Sequence, residues 1–244
     1  MCAADTVGEV CGRYVSSSTP AAIAEFFGAA VDGEPLAPSF NVAPTNDVYA
    51  VVAANDGARR VQTYRWGLVP SWAKDVRIGS KMINARAETL GEKPSFKGLF
   101  RTHRLLVPMD GFYEWQQGTG LTAAGKPAKT PMFIHSADGA PLAAAGLWAA
   151  WREPGADPSD PWLHTLTVIT TSANATMAPV HDRMPVLMEK ADWAEWLDNS
   201  HQDLAALQRL LVPAPEGVLT MHAVSTAVNA VRNKGPELVE PVGR

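Results

Sequence analysis

Apolar residues along this chain recur in short runs separated by turn-forming residues, and the runs favour strands. β-branched and aromatic residues gather at 48–53, 61–66, 105–109, 132–135, 142–148, 163–170 and 218–224, each about the length of one strand. Helical spacing is rarer. Thr19 followed by Pro20 is a helix start, with a capping hydroxyl and a proline in the first turn, and Ile23, Phe26 and Phe27 supply an apolar face. Residues 192–197 and 203–211 read as two short late helices. The Gly/Ala/Thr/Pro-rich stretch 118–130 and the Pro/Asp-rich stretch 153–161 read as loops. Strand-like runs lie on both sides of each loop, so neither separates two domains. The pattern predicts an α+β fold, a single domain built on a curled sheet with few helices.

Composition narrows this only a little. The chain has 244 residues, 46% of them hydrophobic, as in an ordinary globular protein. It has no apolar run of about 18 residues, so no membrane span is expected. Two cysteines near one end make neither a disulfide framework nor a zinc site, and the six histidines lack metal-ligand spacing. A cytoplasmic monomer without metal or cofactor is the expectation.

Charge changes the picture more. The net charge is −4, yet residues 58–104 carry eleven Lys/Arg against three acids, a local +8, with −12 over the remainder. A basic segment in an acidic protein fits a local phosphate-binding face; a solvated region whose charges pair with distant acids is the plainer alternative.

Four polar groups sit in compact or apolar settings. Cys11 opens Cys11-Gly12-Arg13-Tyr14. At a chain terminus a cysteine carries a thiol and a free α-amine on adjacent carbons, and together they can take an aldehyde to an imine and then to a thiazolidine. Inside a chain it can simply pack as a small hydrophobe. Asn84 and Arg86, in Met82-Ile83-Asn84-Ala85-Arg86, share a face if that stretch is extended, and suit a sugar oxygen and its phosphate. A turn asparagine beside a surface arginine is the other reading. Glu114, in Gly111-Phe112-Tyr113-Glu114-Trp115, is a carboxylate among three aromatics. Desolvation there raises its pKa toward proton transfer, unless an arginine pairs with it at a strand edge. His181, in Val180-His181-Asp182-Arg183-Met184-Pro185, sits where Asp182 or backbone can orient the ring, in catalysis or in a structural role.

These segments, with Asn41-Val42-Ala43-Pro44, Trp66-Gly67 and the tail from Val224 to Val242, resemble the SRAP family, and they run in family order. The resemblance implies a single domain with a barrel-like sheet flanked by helices. It implies a DNA-damage function: abasic sites in single-stranded DNA are shielded by a covalent DNA–protein crosslink through the terminal cysteine. By motif match Cys11 is the double nucleophile, Asn84 positions the amine or sugar, Glu114 shuttles protons, and His181 assists ring opening or contacts the adjacent phosphate. Arg13 and Arg86 hold phosphates, Asn41 and Pro44 line the nucleotide path, and Thr170 adds a backbone contact. Trp72 matches a strand-separating loop, although Ser71 stands where the family often has a second aromatic.

One departure matters. Ten residues precede Cys11, where the family cysteine follows the initiator methionine. Residues 1–10 are expected to be a leader that is removed, or to reflect a misassigned start, with the SRAP-like domain at 11–244; Cys2 is a weaker candidate terminus. Two other classes stay open. One is a self-processing cysteine peptidase built on the same four residues. The other is a non-covalent reader of single-stranded or modified DNA, using the basic segment and tryptophans such as those of Trp66-Gly67-Leu68-Val69-Pro70-Ser71-Trp72.

Overall fold

The computed structural model describes residues 11–54, 56–121, 125 and 127–243; the expected leader and Cys2 lie outside them. The described chain starts with β1 (Arg13–Ser16), helix α1 (Pro20–Phe27), β2 (Ala29–Val31) and β3 (Ser39–Val42). Next come β4 (Asp47–Ala53), β5 (Arg59–Trp66), β6 (Asn84–Arg86) and helix α2 (Pro94–Thr102). The middle of the chain supplies β7 (Arg104–Met109), β8 (Gly111–Leu121), β9 (Pro127–Ser136), β10 (Leu142–Trp151), β11 (Leu163–Ser172) and β12 (Arg183–Pro185). Helices α3 (Trp193–Leu197) and α4 (Leu204–Arg209) precede β13 (Leu219–Ala223).

Strands β11-β10-β7-β4-β5 close into a barrel, because β5 pairs back onto β11 in parallel, with Arg65 opposite Thr165 and Trp66 opposite Leu166. Alternation divides their side chains. Val48, Ala50, Tyr64, Trp66, Leu105, Val107, Leu166 and Val168 fill one cluster, while Tyr49, Val51, Leu106, Ala145, Leu147 and Ile169 pack in another with residues of all four helices. Both faces are buried, which is why these strands read as continuous apolar runs. A small barrel must be filled by its own side chains. Space is so short that a Cβ at Gly146 would lie 2.7 Å from both Leu105 Cδ1 and the carbonyl oxygen of Thr167.

The second sheet has the order β13-β9-β8-β1-β3. One face adds Tyr14, Val42, Phe112, Ile134 and Leu219 to the barrel's interior cluster, and Cys11 belongs to that cluster too. The other face, with Val15, Tyr113 and Phe133, is covered by Val224, Val228 and Leu238 of the tail.

Helix α1 forms as the sequence implies: Thr19 Oγ1 accepts the N–H of Ala22, Pro20 opens the first turn, and Gly28 closes it in the left-handed region at φ 59°. The stretch expected as a loop at 118–130 is corrected in part. β8 runs on to Leu121 and β9 begins at Pro127, because a solvent-facing hairpin needs cross-strand hydrogen bonds and no apolar alternation. Helix α2 also lacks an expectation, since Gly98 and three charged or hydroxyl neighbours mask the buried pair Phe96 and Phe100.

Candidate functional site

Strand β1 lies between β3 and β8, with Arg13 opposite Tyr113 and Tyr14 opposite Phe112. That register carries Cys11, two residues ahead of the strand, to Glu114. The backbone nitrogen of Cys11 donates to Oε1 of Glu114. Cys11 has no exposed surface and Glu114 keeps 4%. Cys11 also sits at φ 54°, a left-handed conformation costing an ordinary residue roughly 1–2 kcal/mol, so its turn toward Glu114 is imposed by the surrounding packing.

Burial sets the electrostatics of the pair. It pushes the Glu114 carboxyl up to about 7, against the N–H groups of Cys11 and Trp115 and the charge of Lys129, which favour the carboxylate. Burial also pushes the Cys11 thiol well up, and the Glu114 charge adds to that. At neutral pH the thiol is therefore protonated, while Glu114 is poised to give or take a proton.

Asn84, Arg86, Thr170 and His181 lie on or beside β6, β11 and β12. β6 runs parallel to β11 with Asn84 opposite Val168 and Arg86 opposite Thr170. Ala85 is buried, Asn84 half-buried and Arg86 exposed, so alternation puts Asn84 and Arg86 on one face. The carbonyl of Ile83 fixes this strand by accepting from Trp66 Nε1 at 3.0 Å and from the N–H of Val168 at 3.0 Å. Thr170 is 2% exposed, and its carbonyl accepts from Arg183 Nη2 at 2.7 Å.

His181 precedes β12, in a segment tied to β8 by a bond from Gln116 Nε2 to the Pro179 carbonyl at 3.2 Å. Gln116 stands one strand step beyond Glu114 on the same face. His181 Nδ1 accepts the N–H of Arg183 at 3.0 Å, with Asp182 Oδ1 also 3.0 Å away. In the neutral ring this leaves the proton on Nε2. Burial lowers the imidazole pKa, opposed by Asp182 and reinforced by Lys129 and Arg183.

Arg13 Nη1 donates to Asn41 Oδ1 at 3.0 Å and to the Val228 carbonyl at 2.9 Å, with its guanidinium 5.9 Å from the Trp115 ring centre. Asn41 is fully buried, and its amide nitrogen goes to the carbonyls of Val228, Ala230 and Asn233. It lies behind the surface, joining β3 to the tail. Pro44 is half-buried in the following turn. Trp72 is apart from all of these, 61% exposed on a loop seated on Val69, Ala73 and Trp151.

The family described as SOS response associated peptidase (SRAP) matches residues 10–231. This chain belongs to the SRAP family. It is 41% identical over 235 residues to abasic site processing protein YoqW of Bacillus subtilis (strain 168), covering 95% of this chain and 99% of that one. It is 33% identical to abasic site processing protein HMCES of Gallus gallus, over 84% of this chain and 66% of the relative. A solved protein of Bacteroides thetaiotaomicron shares the fold with a TM-score of 0.82, at 22% identity, over 95% of this chain and 100% of that one. A phage-related protein of Bordetella bronchiseptica gives a TM-score of 0.66 at 30% identity, over 88% and 94%.

Beside these candidate residues, sequence reasoning passed over Arg183. It forks onto Glu88 at 2.6 and 3.0 Å while bonding Thr170, and so ties β11 to the turn after β6. Its place two residues after His181 was the available signal. Four of the eleven cations of the basic segment 58–104 are engaged within the protein. Arg104 is fully buried, Arg59 lies over Trp193, and Arg60 and Arg77 pair with Asp56 and Asp75. Among the described residues, no group of three or more His, Cys, Asp or Glu is placed to hold a metal, and no helix is long and apolar enough to cross a membrane.

Proposed function

We propose that this SRAP chain processes abasic sites in single-stranded DNA, and that it does so by covalent capture at Cys11. The relatives named abasic site processing proteins support the first part. One observation carries the second: a buried carboxyl, poised near neutrality, bonded to the nitrogen of Cys11.

With Cys11 terminal, that nitrogen is an amine titrating near ~8. Glu114 takes its proton, and the amine attacks the C1′ aldehyde of the ring-opened deoxyribose. The carbinolamine leaves as an imine once its hydroxyl is protonated and departs as water, with Glu114 returning the proton. The Cys11 sulfur then adds to the imine carbon, its proton moves to nitrogen, and the thiazolidine closes. The net change is loss of one water. The high thiol pKa orders the steps, because the amine is the better first nucleophile while the thiol stays protonated. His181 donates from Nε2 to the sugar oxygen released on ring opening, Asn84 orients the sugar, and Arg86 and Arg13 hold phosphates.

A second reading concerns maturation. Glu114 also contacts the nitrogen of the peptide bond that precedes Cys11. Attack by the Cys11 sulfur on that carbonyl, its proton passing to Glu114 and Glu114 protonating the nitrogen, breaks the C–N bond to give a thioester and the free amine; water then hydrolyses the thioester, releasing the preceding residues as a carboxylate and restoring the thiol.

The test is intact mass before and after incubation with an abasic single-stranded oligonucleotide. A chain starting at Cys11, with a one-to-one adduct one water lighter than the sum, is expected. Cys11→Ala and Cys11→Ser, each produced with residue 11 at the terminus, keep the α-amine but lose the sulfur, so both are expected to give only a borohydride-trapped imine and no adduct that survives denaturation unreduced. An unreduced adduct that survives denaturation in Cys11→Ala would overturn the capture chemistry.

A further inference from the structure

Two cations converge on Asn41 at the β3 edge of the five-stranded sheet. Arg13 reaches its side-chain oxygen, as above, and Lys234 Nζ donates to its backbone carbonyl and lies 3.4 Å from Asn46 Oδ1. Among the described residues neither cation has a carboxylate partner. Partial burial lowers the Lys234 pKa, and the nearby charge of Arg13 lowers it further. The bonds of Arg13 to described residues run through Nη1 alone, which leaves Nε and Nη2 to an incoming acceptor. Two like charges that share one neutral residue favour an anion between or beside them.

A cavity of about 540 Å³ opens against Lys234, lined by Ser16, Ser39, Thr45, Asn46 and Asp47 among others. Its wall is built stiffly. Asn46 Oδ1 accepts the N–H of Ala43 at 3.1 Å, the N–H of Asn46 returns to the Ala43 carbonyl at 3.1 Å, and Thr45 sits at φ 73°. The one acid in the lining, Asp47, stands opposite Arg65 in the β4–β5 register.

We infer that Lys234, with the hydroxyls of Ser16, Ser39 and Thr45, forms a phosphate-binding notch outside the capture site, with Arg13 behind it across Asn41. The source its position favours is a backbone phosphate of the strand held at Cys11, and in that respect the inference rests on the DNA reading above. Ser16 is five residues from Cys11, at most about 16 Å along an extended chain, within reach of the same strand.

The test measures affinity of the full chain for an intact single-stranded oligonucleotide across salt concentration. Lys234→Gln is expected to make the log–log salt slope shallower by about 0.7, the loss of one phosphate contact, and Lys234→Arg to restore it. Ser16→Asp, which leaves the Lys234 bonds in place, is expected to flatten the slope as well. A parallel titration with inorganic phosphate at constant ionic strength, read by ³¹P line broadening, separates the sources. Broadening lost in Lys234→Gln with an unchanged DNA slope supports the notch and assigns it to a free phosphate. An unchanged slope together with unchanged broadening overturns it. Intact DNA has no aldehyde, so failure of capture at Cys11 with abasic DNA would strike the capture reading and leave this one standing.

Discussion

The nitrogen of Cys11 and the carboxyl of Glu114 are 103 residues apart in sequence and hydrogen-bonded in space. One contact thus joins the proposed nucleophile to its proposed acid–base partner before any substrate arrives. Glu114→Gln keeps the shape and removes the proton transfer. Adduct formation with abasic DNA is expected to slow by about 100-fold with affinity for intact DNA unchanged, as read by quenched time courses on denaturing gels. An unchanged rate would separate Glu114 from the chemistry.

The same carboxyl makes stability depend on pH. In the unfolded chain it titrates near ~4.3, and in the fold near about 7. Below the first value it is protonated in both states and imposes no penalty. Between the two, only the unfolded chain releases the proton, so the fold loses stability as pH rises. The loss levels off above pH 7 at about 3–4 kcal/mol. Urea unfolding of Glu114→Gln is expected to match the wild type near pH 4 and to exceed it increasingly toward pH 7. A difference flat in pH would refute the raised carboxyl.

Trp72 is exposed, so its removal costs the fold little. If it stacks on an unpaired base, Trp72→Ala weakens single-strand binding by about 1–3 kcal/mol, read by fluorescence anisotropy, and leaves the adduct rate at saturating DNA intact. Unchanged affinity would remove Trp72 from the DNA path.

Arg104 is a structural cation. Its guanidinium donates to the carbonyls of Trp196, Phe100, Arg101 and Asp198, with His201 at 3.5 Å, and burial lowers its pKa to about 10. It remains charged at neutral pH and gathers α2, α3 and the turn after α3. Arg104→Met strands those carbonyls, and a loss of about 3–5 kcal/mol is expected, measured by denaturant titration. A loss below 1 kcal/mol would mean water replaces the guanidinium.

How far the sequence spoke depended on what each residue's signal encodes. The barrel strands were legible because burial on both faces makes unbroken apolar runs, as in Leu105, Leu106 and Val107. β1, β3 and β6 were not, since three or four residues such as Asn84-Ala85-Arg86 hold too little pattern. The enclosure of Glu114 was readable from Phe112, Tyr113 and Trp115. Its bond to Cys11 was not, because it comes from a β1–β8 register that no local window contains. Arg104 counted toward a basic face while pointing into the core, as a tally of charges carries no direction. The inward turn of the Asn41 amide is a tertiary fact of the same kind.

Strand β1 is flanked on both sides, by β3 and by β8. A protein fastened to DNA through Cys11 is a tethered load, and any pull on the strand reaches β1 first. Withdrawing β1 means breaking two ladders together, where an edge strand would give up one. Under the proposed capture chemistry, traction on the lesion would thus be borne by a strand held from both sides rather than by a sheet edge.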